Sequence, residues 1–221
     1  MRPFADIRAA AVARKGEADI KAHMPTPPET PLASLTDDRL LSEFSKRVFQ
    51  AGFNWKVVEA KWPGFEDAFH GFDIGRNAMM SDEDLDRHLK NTAIVRHAAK
   101  ILSVRDNAVF LGDLAREHGS AAACIGNWPP SDTVGLFAMM KARGTRLGGT
   151  TGQYALRFAG FDNFILSKSV IAGLKAAGVI DGPATSKTAQ AKIQAAFNDW
   201  HQESGESYAA ISRVLAYSVP D

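Results

Sequence analysis

The chain has 221 residues, 45% hydrophobic and 23% charged, so it can bury a substantial core and is not a disordered chain. Its 26 basic and 25 acidic residues leave a net charge of +1, so any nucleic-acid surface must come from local segregation of charge. The single cysteine, Cys124, excludes an internal disulfide and a cysteine-based zinc site, which fits a reducing compartment.

The N-terminal stretch MRPFADIRAAAVARKG has Asp6 and arginines within its apolar run and fails as a signal peptide. No apolar run reaches the roughly 18–20 residues needed to cross a bilayer. Together these predict a cytoplasmic protein with no membrane partner.

In chain order, residues 3–14 predict a short amphipathic helix. MPTPPETP then breaks any helix through Pro25, Pro27, Pro28 and Pro31, so residues 15–34 read as a linker. Thr36 opens the next helix, with Asp37 and Asp38 in its first turn and Leu40, Leu41, Phe44, Val48 and Phe49 at helical spacing. It is predicted to end at Gly52. A helix over 55–61 follows, then one begun by Pro63 and covering 65–69.

Ser81 and Asp84 form a capping box in its aspartate variant and open a helix over 82–90. Ile94, Ala98, Ile101, Val104, Ala108 and Leu111 predict one long helix over 94–118. Further helices are expected at 131–142, 151–159, 167–177, 186–203 and 208–218. The only strand candidate is 163–166. The fold class is all-α, with residues 1–34 as an N-terminal helix and linker and 35–221 as one helical domain.

The most informative segment is Lys141 to Arg157, KARGTRLGGTTGQYALR. It carries Lys141, Arg143, Arg146 and Arg157 and no acidic residue. Gly148, Gly149 and Gly152 let the backbone turn sharply and approach a partner. The unpaired amides at the start of the following helix suit an anion, the dipole adding about 0.3–1 kcal/mol. A glycine turn rimmed by cations can hold a phosphate without reading a base; a plain helix connection that needed glycine fits the same residues.

QAGFNW (50–55) ends one helix at glycine and starts another, a place that can aim Phe53 and Trp55 at a planar ligand, with Phe49 and Gln50 beside them. For an arbitrary helical protein, core packing of both aromatics is the better-fitting reading. Other chemistry is weak. Ser167 and Ser169 have no evident base beside them, and RLGGTTG lacks the Lys-Ser/Thr pair of a phosphate-binding Walker loop. Ile193, Phe197 and Trp200 share an apolar face that reads as core.

QAGFNW, AFHGFD, the capped acidic helix, IVRHAAKI with its trailing NA, and GGTTGQYALRFAG occur in the order and approximate spacing of one family. The chain resembles DNA-3-methyladenine glycosylase I, of the helix-hairpin-helix DNA glycosylase superfamily, over roughly residues 36–180. The resemblance implies two helical lobes with a cleft between them. It implies excision of N3-methylated adenine from double-stranded DNA after the base leaves the stack, by a monomer without cofactor. Trp55 matches the family's pocket tryptophan. Gly149, Thr150 and Thr151 match the hairpin region, and Arg146, Gly148 and Gly152 of the same corner are expected to hold the phosphate with them. Arg96, His97 and Lys100 match a segment that reads as structural.

Two departures accompany the resemblance. Arg47 stands where the family carries a pocket glutamate, and a cation there would repel a cationic base. Glu43, one turn earlier, is the first candidate for the catalytic carboxylate, although an i,i+4 pairing with Arg47 explains it as well. Asp162, after the hairpin helix, is the second; Glu59 is another carboxylate expected near the cleft. The family's zinc ligands are missing, since the chain has one cysteine and six scattered histidines. A DNA-binding module of the same fold with altered or lost catalysis is the alternative, and a helical protein-interaction domain a third reading.

Overall fold

Cap and breaker residues set most helix boundaries. The structure is a computed structural model that describes residues 1–26 and 29–220. Among the described residues there are fourteen α-helices and no strand. In order they are α1 (Phe4–Lys15), α2 (Glu17–Ala22), α3 (Asp37–Gln50), α4 (Trp55–Ala60), α5 (Trp62–Ala68), α6 (Ile74–Ala78) and α7 (Asp82–Lys90). There follow α8 (Ala98–His118), α9 (Ala121–Gly126), α10 (Thr133–Arg143), α11 (Gly149–Ala159), α12 (Lys168–Ala176), α13 (Lys187–Ser204) and α14 (Tyr208–Tyr217).

The all-α expectation therefore holds, and the capped helix over 82–90 is α7, with both bonds of the Ser81–Asp84 capping box formed. Some expectations are corrected. The span 15–34 is not all linker, because α2 starts directly after Gly16. Pro27 and Pro28 of the proline-rich break lie outside the described residues. The long helix begins at Ala98 rather than at residue 94, with His97 as its N-cap in extended conformation. Residues 163–166 form no strand.

The chain divides into two units: Met1–Pro28, Pro129–Leu136 and Asp162–Asp221 make one, Glu29–Trp128 and Phe137–Phe161 the other. The N-terminal helices thus group with the C-terminal ones, whereas the sequence had set residues 1–34 apart. In this first unit α1 packs on α13 and α14. Ile193, Phe197 and Trp200 are fully buried, and Phe164 stacks on Phe197 with centroids 4.2 Å apart. The Trp200 indole N–H donates to the Arg2 carbonyl at 3.0 Å, so even the polar edge of this core side chain is satisfied.

The second unit is organised around α3, which packs against α8 and α11. Leu40, Leu41, Phe44, Val48 and Phe49 of α3 are buried, each worth about 1.5–3 kcal/mol relative to exposure. The Asp37 carboxylate accepts from the Ala121 and Ala122 amides at 3.2 and 2.8 Å and so caps α9 from a distant part of the chain. Arg39 grips Glu66 through two bonds of 3.0 Å. Burial pushes the Glu66 carboxyl up, but Arg39, Ser42 and Trp62 more than offset this and hold it below the ordinary glutamate value.

Candidate functional site

Both motifs singled out in the sequence lie in the second unit. The glycine corner joins α10 to α11. Its apex is fixed from below by Asn107, fully buried on α8, whose side chain donates to the Thr145 carbonyl at 3.1 Å and accepts from the Thr145 amide at 2.8 Å. Arg146 then takes a left-handed conformation, φ 62°. Its Nε donates to the Ala99 carbonyl at 3.2 Å. Gly148 is the N-cap of α11, and Gly149, at φ 60°, and Thr150 are exposed at its first turn. Gly152 is buried, and a Cβ there would fall 1.9 Å from the Leu147 carbonyl oxygen.

Val48, Ala51, Arg146, Gly148 and Thr151 line a hollow of about 300 Å³. One cation and the amide-rich start of an eleven-residue helix thus meet at one concavity, an arrangement suited to an anionic oxygen. The other cations of the corner are not equivalent. Arg143 makes two bonds of 2.9 and 2.8 Å to Glu117 and is spent on that pair.

Asn54 caps α4 by accepting from the Lys56 amide at 3.0 Å, which makes Trp55 the first residue of that helix. Its indole, 43% exposed, meets Tyr154 edge-on at 5.8 Å and Phe158, 50% exposed, at 5.9 Å. The three rings form an open aromatic cluster. Phe53, 42% exposed, has different neighbours: the Lys100 ammonium lies 4.3 Å from its ring and His97 meets it at 6.3 Å.

Arg47 is buried at the foot of the cluster, with 8% of its side chain exposed. Its guanidinium carbon lies 4.0 Å from the Phe158 ring centroid and 5.6 Å from that of Trp55, within cation–π range of both. Nη1 donates to Gln50 at 2.6 Å and Nη2 to Glu43 at 3.2 Å, while Nε has no partner among the described residues. Glu43 therefore forms the i,i+4 pair that its spacing allowed. Gln50 passes the network on to Glu59 at 3.3 Å, and Lys46 stands 3.5 Å from Glu59.

Lys100 anchors the turn beneath. Its ammonium donates to the carbonyls of Phe49 at 3.0 Å and Ala51 at 2.5 Å, closing the C-terminal end of α3. Burial, with Arg146 nearby, lowers its pKa to about 8. Lys100→Met should cost about 2–4 kcal/mol, because it strips the partner from both carbonyls. Between pH 8 and the ordinary lysine value of 10.5, the unfolded chain holds a proton that the folded chain has released. Wild-type stability should rise with pH through that window relative to Lys100→Met. Urea unfolding of both proteins at several pH values checks this, and parallel pH profiles would refute it.

Two expected site residues are corrected. Phe49 is wholly buried and packs edge-on against Phe65 at 4.5 Å, so it is core and offers no face to a ligand. Asp162 accepts from the Tyr208 and Ala209 amides at 3.1 and 2.9 Å and is committed to the N-terminus of α14. Tyr154 and Phe158 were missed. Their i,i+4 spacing on the helix just after the glycine corner was the available signal.

No group of three or more His, Cys, Asp or Glu among the described residues is arranged to hold a metal, so the side chains present do not fit the zinc of the family it resembles. No helix among them is long and apolar enough to cross a membrane.

The body is all-helical and carries its glycine-bearing helical hairpin next to an open aromatic cluster. The chain belongs to the methyladenine glycosylase family, whose model matches residues 32–190. The DNA-3-methyladenine glycosylases of Haemophilus influenzae and Escherichia coli are each 37% identical over 59 residues, 27% of this chain and 32% of theirs. The matched stretch thus spans about a third of those relatives' length.

A crystal structure of 3-methyladenine DNA glycosylase I superposes with a TM-score of 0.51 at 28% identity, covering 64% of this chain and 85% of that one. The Staphylococcus aureus enzyme gives 0.53 at 21% identity over 72% and 95% of the chains, a likeness of fold alone. So does a variant in complex with 3-methyladenine, at 0.51 and 18% identity over 68% and 89%.

Proposed function

We propose that the protein excises an alkylated purine from double-stranded DNA by hydrolysing its N-glycosidic bond after the base has left the stack. The observation that carries this reading is the open Trp55–Tyr154–Phe158 cluster, in the same unit as the hollow at the start of α11. A base can stack against the rings while the amides of Gly149, Thr150 and Thr151, with Arg146, hold a backbone phosphate.

In the reaction the sugar–base bond breaks with its electron pair moving to the base. A water oxygen bonds to the sugar carbon, and the water proton goes to the departing nitrogen of a neutral base, or to solvent when a cationic base leaves as the neutral species. In this reading Glu43 faces the developing sugar cation; its ion pairs with Lys46 and Arg47, beside the cluster, support that role. Gln50 orients Arg47 and, through it, the floor of the cluster.

The test is release of free base from duplexes carrying methylated purines or 1,N6-ethenoadenine. Release of an alkylated base from either duplex is the expected result. Retention of both bases, together with salt-dependent duplex binding, would replace this reading with that of a binding module. That second reading is favoured by one observation, the cation of Arg47 beneath the rings.

A further inference from the structure

Arg47 is the group that the function above leaves unexplained. A guanidinium carries five N–H donors and no acceptor. Here each Nη makes one hydrogen bond and Nε makes none among the described residues, although the side chain is more than nine-tenths buried. The donor surplus sits under rings that remain 43% and 50% exposed. Among the described residues the only carboxylate bonded to Arg47 is Glu43, and Lys46 draws on that same carboxylate at 3.9 Å. A base settling on Trp55 therefore meets a positive, donor-rich group that can accept nothing from it.

We propose that this site selects an alkylated purine that stays uncharged in DNA and offers adjacent hydrogen-bond acceptors, in preference to an N3-methylated, cationic base. The inference rests on the glycosylase reading and specifies its substrate class. Guanidinium groups pair bidentately with two neighbouring purine acceptors, as with the O6 and N7 of guanine. 1,N6-Ethenoadenine is an alkylation product with that pattern, since N7 and the bridged exocyclic nitrogen both accept and the ring system is neutral. A base cation on the same rings would instead face the Arg47 charge at close range.

The choice also suits the chemistry. A neutral base leaves with negative charge building on its nitrogens, and donors aimed at its acceptors stabilise that charge. A cationic base becomes neutral as it leaves and gains nothing from Arg47.

The test is calorimetric titration of the full chain with N9-methylated 1,N6-ethenoadenine, which is neutral, and with 3,9-dimethyladeninium, a permanent cation. The neutral probe should bind about tenfold or more tightly, as expected for a bidentate pair, and Arg47→Gln should erase the difference. Equal or tighter binding of the cation overturns the proposal, as does binding of neither probe or a preference that survives Arg47→Gln. If Arg47→Gln does not fold, the wild-type comparison still decides.

The duplex experiment separates the two levels. Preferential release of 3-methyladenine overturns the selectivity and leaves the glycosylase reading standing. No release from either duplex overturns the glycosylase reading, and the titration still judges the pocket.

Discussion

Trp55→Ala is expected to lower base release about 5- to 150-fold, the rate equivalent of the roughly 1–3 kcal/mol that one aromatic–base stack contributes. The fold should survive, because the indole is 43% exposed and its losses are two edge contacts, to Tyr154 and Phe158, and one cation–π contact, to Arg47. Each edge contact is worth about 0.5–1.5 kcal/mol, so urea unfolding should report a modest decrease and no change in cooperativity. Trp55→Phe keeps a smaller ring and should recover part of the rate. Single-turnover release from the preferred alkylated duplex is the measurement. A Trp55→Ala protein that releases base at the wild-type rate would show that the cluster is not where the base sits.

The contrast between Trp55 and Phe49 shows what the sequence could and could not display. Both are aromatics of the same short stretch, and helical spacing assigned Phe49 to the apolar face of α3, where it lies. Whether Trp55 joined it inside depended on what α4 packs against, which no local pattern records. The position of Arg47 was half legible. Its pairing with Glu43 and Gln50 follows from spacing on one helix, whereas its seat on Phe158 depends on the packing of α3 against α11.

Asp162 shows the reverse case. A carboxylate shortly after a hairpin helix suggests chemistry, but it serves two backbone amides more than forty residues away. The missed helix α9 has a similar origin. AAACIG shows no amphipathic period, and besides the local N-cap Ser120 its start is held by an aspartate that lies on α3. Where a boundary was local, as with the Ser81–Asp84 box, it was read to the residue. Ile94 misled because an apolar residue at helical spacing can be buried from a loop, and here it is.

The second large effect should come from Gly152→Ala. The added methyl would stand 1.9 Å from the Leu147 carbonyl oxygen and 2.9 Å from its carbon, both backbone atoms of the corner itself. No side chain can rotate away, so α11 must shift relative to the turn. Overpacking of this kind costs about 1–3 kcal/mol even where side chains can yield, and here the upper end or beyond is expected. The shift also carries the exposed amides of the first turn away from Arg146, so duplex affinity should fall together with stability.

Gly149→Ala supplies the control. Its backbone sits at φ 60° but nothing lies within 4 Å of a Cβ, so it should cost only about 1–2 kcal/mol of left-handed strain. Urea unfolding and salt-dependent duplex binding of the two variants should therefore rank Gly152→Ala as the worse on both counts. If Gly152→Ala matched wild type in stability and affinity, the close approach of α11 to the corner would not be what holds the phosphate site in shape.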